Sequence, residues 1–288
     1  MNKILTSILN FIYLSPIRSW SRHLGLNRLI LNAHILSPKN IDQYAEYERD
    51  RPTSLDVGSG ECVATMLVAD AAEYGRCLSF RQDQHIIQAI LDRVSPGDSC
   101  WDIGANIGVY TVILARTLGV EGSVIAFEPE SRAFQRLEEN IAVNHLSNVS
   151  SFRIALGRDR QQMKLRTSGH ASSGTHSLVL PEAKMSKSED DHFEVVEVVP
   201  GDQLRQQKQL QIPSIIKVDV EGAEEEVLVG LQETLCHPAC RTVVCEVHFT
   251  ILESAGKRNA PKQIIQFLRG CGFSNTVWLD QSHLAAYK

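Results

Sequence analysis

The chain has 288 residues, 43% hydrophobic and 22% charged, with 29 basic side chains against 34 acidic ones and a net charge of −5. Those values describe an ordinary globular protein of one large domain with a modest extension. They exclude a basic nucleic-acid-binding face, because no Lys/Arg excess exists to release counterions from phosphates, and they exclude bulk disorder.

Residues 1–50 predict an N-terminal helical extension. Ile4, Leu5, Ile8, Leu9 and Ile12 share one helical face, and the apolar stretch is shorter than the roughly 20 residues needed to cross a bilayer. Ser15-Pro16-Ile17-Arg18 follows it in place of a small-x-small cleavage site, so the segment reads as an amphipathic helix that packs on the body or a partner. Peripheral membrane contact, helped by Arg18, Arg22 and Arg28, is the other reading. Residues 51–97 form a lead-in segment broken by Gly58, Gly60 and Gly75.

From Ser95-Pro96-Gly97 the pattern becomes regular, and residues 98–288 read as the main domain. Strands are expected at Cys100–Ile103, Val124–Phe127, Ser151–Leu156, Ile215–Val220 and Thr242–Val247. Two short closing strands follow at Phe273–Leu279 and Leu284–Tyr287. Helices are expected at Val109–Leu118, at Ser131–Asn144 with Ser131 as the cap, at Ala223–Leu235 and at Lys262–Gly270. Strands alternating with amphipathic helices mean a doubly wound α/β sheet, whose ligands sit at the carboxyl ends of the strands. A polar insertion at about residues 160–200 interrupts the alternation. It carries His170, Ser173 and His176 as candidate acceptor contacts on a loop above the crevice.

Seven cysteines (Cys62, Cys77, Cys100, Cys236, Cys240, Cys245, Cys271) are scattered with no C-x-x-C pair. They fit a reducing cytoplasmic protein, and His237, Cys240 and Cys245 give no metal motif.

Two glycine-bearing segments compete for the first strand-to-helix turn of a nucleotide site: Leu55-Asp56-Val57-Gly58-Ser59-Gly60 and Trp101-Asp102-Ile103-Gly104-Ala105-Asn106-Ile107-Gly108. After the second come a helix and a strand ending in Glu128, 24 residues past Gly104. About 20 residues is the spacing at which a strand-end carboxylate meets a ribose diol. The first segment has no such partner and is left as a surface turn or part of a short β lead-in. The second lacks the G-x-G-x-x-G of dinucleotide sites, having Asn106 at the second glycine position. That favours a nucleoside without a diphosphate, and S-adenosylmethionine is such a nucleoside.

Four blocks in order, Asp102–Thr111, Phe127-Glu128-Pro129, Asn140–Asn144 and Ile216–Glu224, with Glu246-Val247-His248 after the fifth strand, resemble the FkbM family of S-adenosylmethionine-dependent methyltransferases over about residues 80–288. The resemblance implies a class I methyltransferase (Rossmann-like) α/β fold, with seven mostly parallel strands and a C-terminal antiparallel hairpin. It also implies methylation of a hydroxyl on a sugar, glycolipid or secondary metabolite. In such a site Gly104, Ala105, Asn106 and Gly108 would wrap the methionine part, while Asp102 would orient the turn or the amino group. Glu128, beside Pro129, would hold the ribose, and Ala155 and Leu156 would line the adenine. Asn106 is alternatively a helix cap.

An alcohol nucleophile must also lose its proton, which a positioned carboxylate or histidine assists. Asp219, Glu221 and His248 are the candidates. Lys217, Asp219 and Glu221 alternate, as residues on one face of a strand do. The bland alternatives are a Lys217–Asp219 pair and a helix cap at Glu221. Asp219, Glu221 and Glu246 could hold Mg²⁺ through hard oxygens, but without a tight ligand motif no metal is assigned. The other function classes weighed are a dinucleotide-dependent oxidoreductase and a catalytically silent module of the same fold. Oligomeric state is not readable.

Overall fold

The computed structural model describes residues 53–58, 63–168, 177–178 and 191–288. The expected N-terminal helix, Cys62 and the loop carrying His170, Ser173 and His176 lie outside the described residues. No helix among the described residues is long and apolar enough to cross a membrane.

The sheet follows from short runs of branched apolar residues. β3 (Ser99–Ile103), β4 (Ser123–Phe127), β5 (Val149–Phe152), β10 (Ile215–Val218), β11 (Thr242–Glu246), β12 (Asn275–Trp278) and β13 (His283–Tyr287) form one seven-stranded sheet. Its order is β12-β13-β11-β10-β3-β4-β5. β3 and β10 are buried along their whole length, as central strands covered on both faces must be. All neighbours are parallel except β13, which runs antiparallel to both β11 and β12. This is the doubly wound sheet with a closing antiparallel hairpin that the sequence implied. Chain direction across the sheet reverses between β3 and β10, so the carboxyl ends of those two strands open a crevice at the topological switch point.

Two helices fix the near wall. α3 (Val109–Leu118) follows β3, and α4 (Ser131–Val143) follows β4, with Ala133, Leu137 and Asn140 buried. The cap of α4 is Glu130, whose carboxylate accepts the Ala133 N–H at 2.6 Å, in place of the expected Ser131. The lead-in contains a hairpin, β1 (Thr53–Val57) with β2 (Ala64–Val68), so Leu55–Val57 are strand and not a nucleotide turn. Asn140 and Asn144 of the α4 end bind the β2 edge: their Oδ1 atoms accept the N–H groups of Leu67 and Thr65. Two further helices that the sequence left unassigned, α1 (Ala71–Gln82) and α2 (Gln84–Leu91), follow the hairpin.

Three expected elements differ. Ser151–Leu156 is not one strand: β5 ends at Phe152, and β6 (Ala155–Leu156) pairs instead with Val198 and Val199 of β9 (Asp191–Val199). β9 also pairs along its length with β7 (Gln161–Ser168), and β7 pairs with β8 (Ser177–Leu178). The insertion is therefore a second, four-stranded sheet with its own small core of Ala155, Leu165, Val196 and Val198. Ala223–Leu235 is likewise two helices, α6 (Glu224–Val229) and α7 (Gln232–Cys236). Asp202, on α5 (Gly201–Lys208), takes the N–H groups of Glu233 and Thr234 at 2.7 and 2.9 Å, and its own N–H goes to the Gly230 carbonyl. That caps a new helix where the old one would have continued. Finally, the fourth strand stops at Val218, so Asp219 and Glu221 are not strand positions.

Candidate active site

The turn after β3 is built by three left-handed residues, Gly104, Asn106 and Gly108, at φ +80°, +51° and +90°. Its first two N–H groups, from Gly104 and Ala105, both go to the Phe127 carbonyl at the end of β4. Gly104 faces the other side of the switch point so closely that an added Cβ would lie 1.8 Å from the Asp219 carbonyl oxygen. Any side chain there must push the β3 and β10 ends apart. We expect Gly104→Ala to cost about 3 kcal/mol or more of stability, read as a fall in the denaturant midpoint.

The turn opens onto a cleft. Of the residues singled out in the sequence, Gly104, Asn106, Glu128, Pro129, Ala155, Leu156, Asp219 and Glu221 line it. Asp102, Ala105, Gly108 and His248 do not. Ala105 packs with Ala126 and Leu137, and Gly108 caps α3 with its Cα against the Leu137 side chain. Asp102 is fully buried beneath the turn, accepting the Thr111 hydroxyl at 2.6 Å and pairing with Lys217 Nζ at 3.3 Å. It holds the turn and cannot touch a ligand amino group. Asn106 does not cap α3 either; its Oδ1 accepts the neighbouring Ile107 N–H.

Glu128 is buried at the cleft wall, and each of its oxygens takes one backbone N–H, from Asn106 at 2.8 Å and from Glu130 at 2.9 Å. Burial pushes its carboxyl up to about 7, against the pull of those two N–H groups. Each carboxylate oxygen keeps a lone pair for a further donor.

Across the cleft, Lys217 reaches from β10 to the Gly104 carbonyl and to Asp219 Oδ2, 3.4 Å from each, as well as to Asp102. The chain then turns back on itself, with Glu221 at φ +48° and Gly222 at φ +95°. This turn, and not strand alternation, brings Glu221 to the cleft beside Asp219. Glu221 caps nothing: the Gly222 N–H goes to Glu224.

His248, just after β11, points its Nε2 at three carboxylates: Asp219 at 3.7 Å, Glu246 at 3.9 Å and Glu221 at 4.0 Å. Its Nδ1 is fixed 2.6 Å from Oε1 of Glu224, which is fully buried. Burial alone would lower the imidazole. Glu224, Asp219, Glu221 and Glu246 together outweigh it and raise His248 to about 9. The histidine therefore carries a proton at neutral pH, unlike the free base that its ordinary value suggested. Burial raises Asp219, but Lys217 and His248 together hold it down to about 2. Glu221, where burial dominates, rises to about 7.

Three groups of functional interest were not legible in the sequence. Arg76 of α1 lines the cleft, together with Ile154 and Leu165. Glu224 anchors His248. Lys217 ties both halves of the switch point together. Asp219, Glu246 and His248 also bring one ligand-type atom each to within 4.8 Å of one another.

The cleft suits a cationic nucleoside. Glu128 can accept two hydroxyl hydrogens of a diol, Phe127, Pro129, Ile154, Ala155 and Leu156 supply apolar lining, and Asp219 supplies negative charge. Comparison with known proteins agrees. The hexuronic acid methyltransferase AglP of Haloferax volcanii is 30% identical over 185 residues, which are 64% of this chain and 70% of that protein. The 31-O-demethyl-FK506 methyltransferase FkbM of Streptomyces tacrolimicus is 29% identical over 213 residues, with 66% of this chain and 77% of that protein covered. The methyltransferase FkbM domain itself matches residues 102–274. The chain belongs to the FkbM family of methyltransferases, with the class I fold and S-adenosylmethionine as methyl donor.

Proposed function

We propose that the protein transfers a methyl group to a hydroxyl of a small acceptor, a sugar, glycolipid or secondary metabolite. The observation that carries the proposal is the pair of opposed carboxylate sites on one cleft: Glu128 on the β4 side, with Asp219 and Glu221 on the β10 side. When bound, S-adenosylmethionine supplies an electrophilic methyl on a sulfonium, a good leaving group. Glu128 accepts the ribose hydroxyls, and the Gly104–Gly108 turn seats the methionine part. Glu221, poised near neutral pH, accepts the acceptor hydroxyl's proton at its carboxylate, a contribution of about 10²–10⁴-fold. His248, pinned by Glu224, holds Asp219 and Glu246 in place, and Asp219 would face the positive charge of the bound donor. Much of the remaining acceleration comes from holding nucleophile and methyl at attack distance. Two relatives named for a hexuronic acid and for 31-O-demethyl-FK506 support a small hydroxylated acceptor in place of a macromolecule.

Incubation with methyl-labelled donor and a panel of neutral sugars, uronic acids and polyketide alcohols tests the proposal. Label transferred to an acceptor oxygen is expected; donor binding without transfer to any hydroxyl would leave only a silent member of the family. With Asp219 already paired to Lys217 and His248, dialysis against a chelator is expected to leave turnover within about twofold of the starting value. A loss of turnover restored by Mg²⁺ would contradict that.

A further inference from the structure

The cleft is dominated by acidic and apolar side chains, and Arg76 is the one basic residue lining it among the described residues. Arg76, in the second turn of α1, is half-buried, and among the described residues its guanidinium makes no ion pair and no hydrogen bond. It lines the same cleft as Glu128, Asp219 and Glu221, and its charge acts on all three. Those carboxylates have other cationic or N–H neighbours: backbone N–H groups for Glu128, Lys217 and His248 for Asp219, and His248 at 4.0 Å for Glu221. A half-buried guanidinium has lost part of its hydration and is compensated by an anion, and its planar fork matches a carboxylate bidentately. Arg76 also precedes residue 102, where the family match begins, so it belongs to the part of the chain outside the family's shared domain.

We propose that Arg76 is the carboxylate-binding residue of the cleft. The proposal rests on the cleft being the donor site. Two carboxylates could reach it, the α-carboxylate of the methyl donor and an acidic group on the acceptor, and binding measurements separate them. In the donor arm, calorimetry compares S-adenosylmethionine with its decarboxylated analogue on wild type and on Arg76→Gln. In the acceptor arm, glucuronate is compared with glucose on the same two proteins saturated with S-adenosylhomocysteine.

Wild type is expected to favour the carboxylate-bearing member of one pair by about tenfold or more, and Arg76→Gln is expected to erase that preference while its melting temperature stays unchanged. Arg76→Lys, which keeps the charge without the fork, should recover only part of the preference. The arm that responds identifies the source of the carboxylate. Donor binding by wild type with no preference in either arm, or a preference that survives in Arg76→Gln, overturns the proposal alone. Absence of donor binding in wild type overturns the proposed function and this assignment with it.

Discussion

Replacing Glu128 by alanine is expected to weaken S-adenosylmethionine binding by roughly a hundredfold or more. Two hydroxyl donors to a charged acceptor contribute about 1.5–3 kcal/mol each when the acceptor is ionised, and no other carboxylate lines that side of the cleft among the described residues. Alanine also strands the N–H groups of Asn106 and Glu130, so Glu128→Gln, which keeps the volume and one acceptor oxygen, is the companion variant. Titration calorimetry reads both, and near-wild-type affinity in both would remove Glu128 from the donor site.

The pH dependence supplies an independent reading. Diol binding needs the ionised carboxylate, and the Glu128 carboxyl lies near 7, so wild-type affinity should be about tenfold lower at pH 6 than at pH 8. Stability without donor runs the opposite way. A glutamate raised from 4.5 to about 7 on folding stabilises the protein fully below pH 4.5, and that contribution disappears as pH rises through 7. Glu221, raised likewise, and His248, raised to about 9 from 6.5, act in the same direction. Heating curves should therefore show the donor-free protein losing melting temperature between pH 5 and 9, while the increment added by donor grows through the middle of that range.

The second large effect is expected at Glu221. Glu221→Gln preserves shape but cannot take a proton, so kcat should fall about 10²–10³-fold while the donor Kd changes by less than about threefold. The rising limb of the kcat profile near pH 7 should vanish with it. Because position 221 already holds a left-handed backbone at φ +48°, glutamine is preferred to alanine there: it removes only the ionisable oxygen. Full activity in Glu221→Gln would move the base to another group, and Asp219 is then next, at the cost of its low basicity.

Much of the donor half of the site could be read from the chain because its parts are local. A strand, a glycine turn and a strand-end carboxylate 24 residues on are fixed by spacing, and the structure places Gly104, Asn106 and Glu128 on one cleft. The acidic half was legible only as residue types. Lys217, Asp219 and Glu221 alternate, but the geometry comes from a reversed turn at Glu221-Gly222, which periodicity does not encode. Glu224 meets His248 across 24 residues of sequence, and Asp202 interrupts a helix from 31 residues away. Such long-range hydrogen bonds leave no local pattern. Nor does the departure of Ala155-Leu156 from the main sheet, since its partners Val198 and Val199 lie beyond the insertion.

Lys217 joins three things that differ in purpose: the carbonyl of the donor turn, the buried Asp102 beneath it, and Asp219 on the opposite rim. One ammonium thus acts as a rivet through both jaws of the crevice. Displacing either jaw therefore loads the other, and a shift of the donor turn is felt at the Asp219 rim.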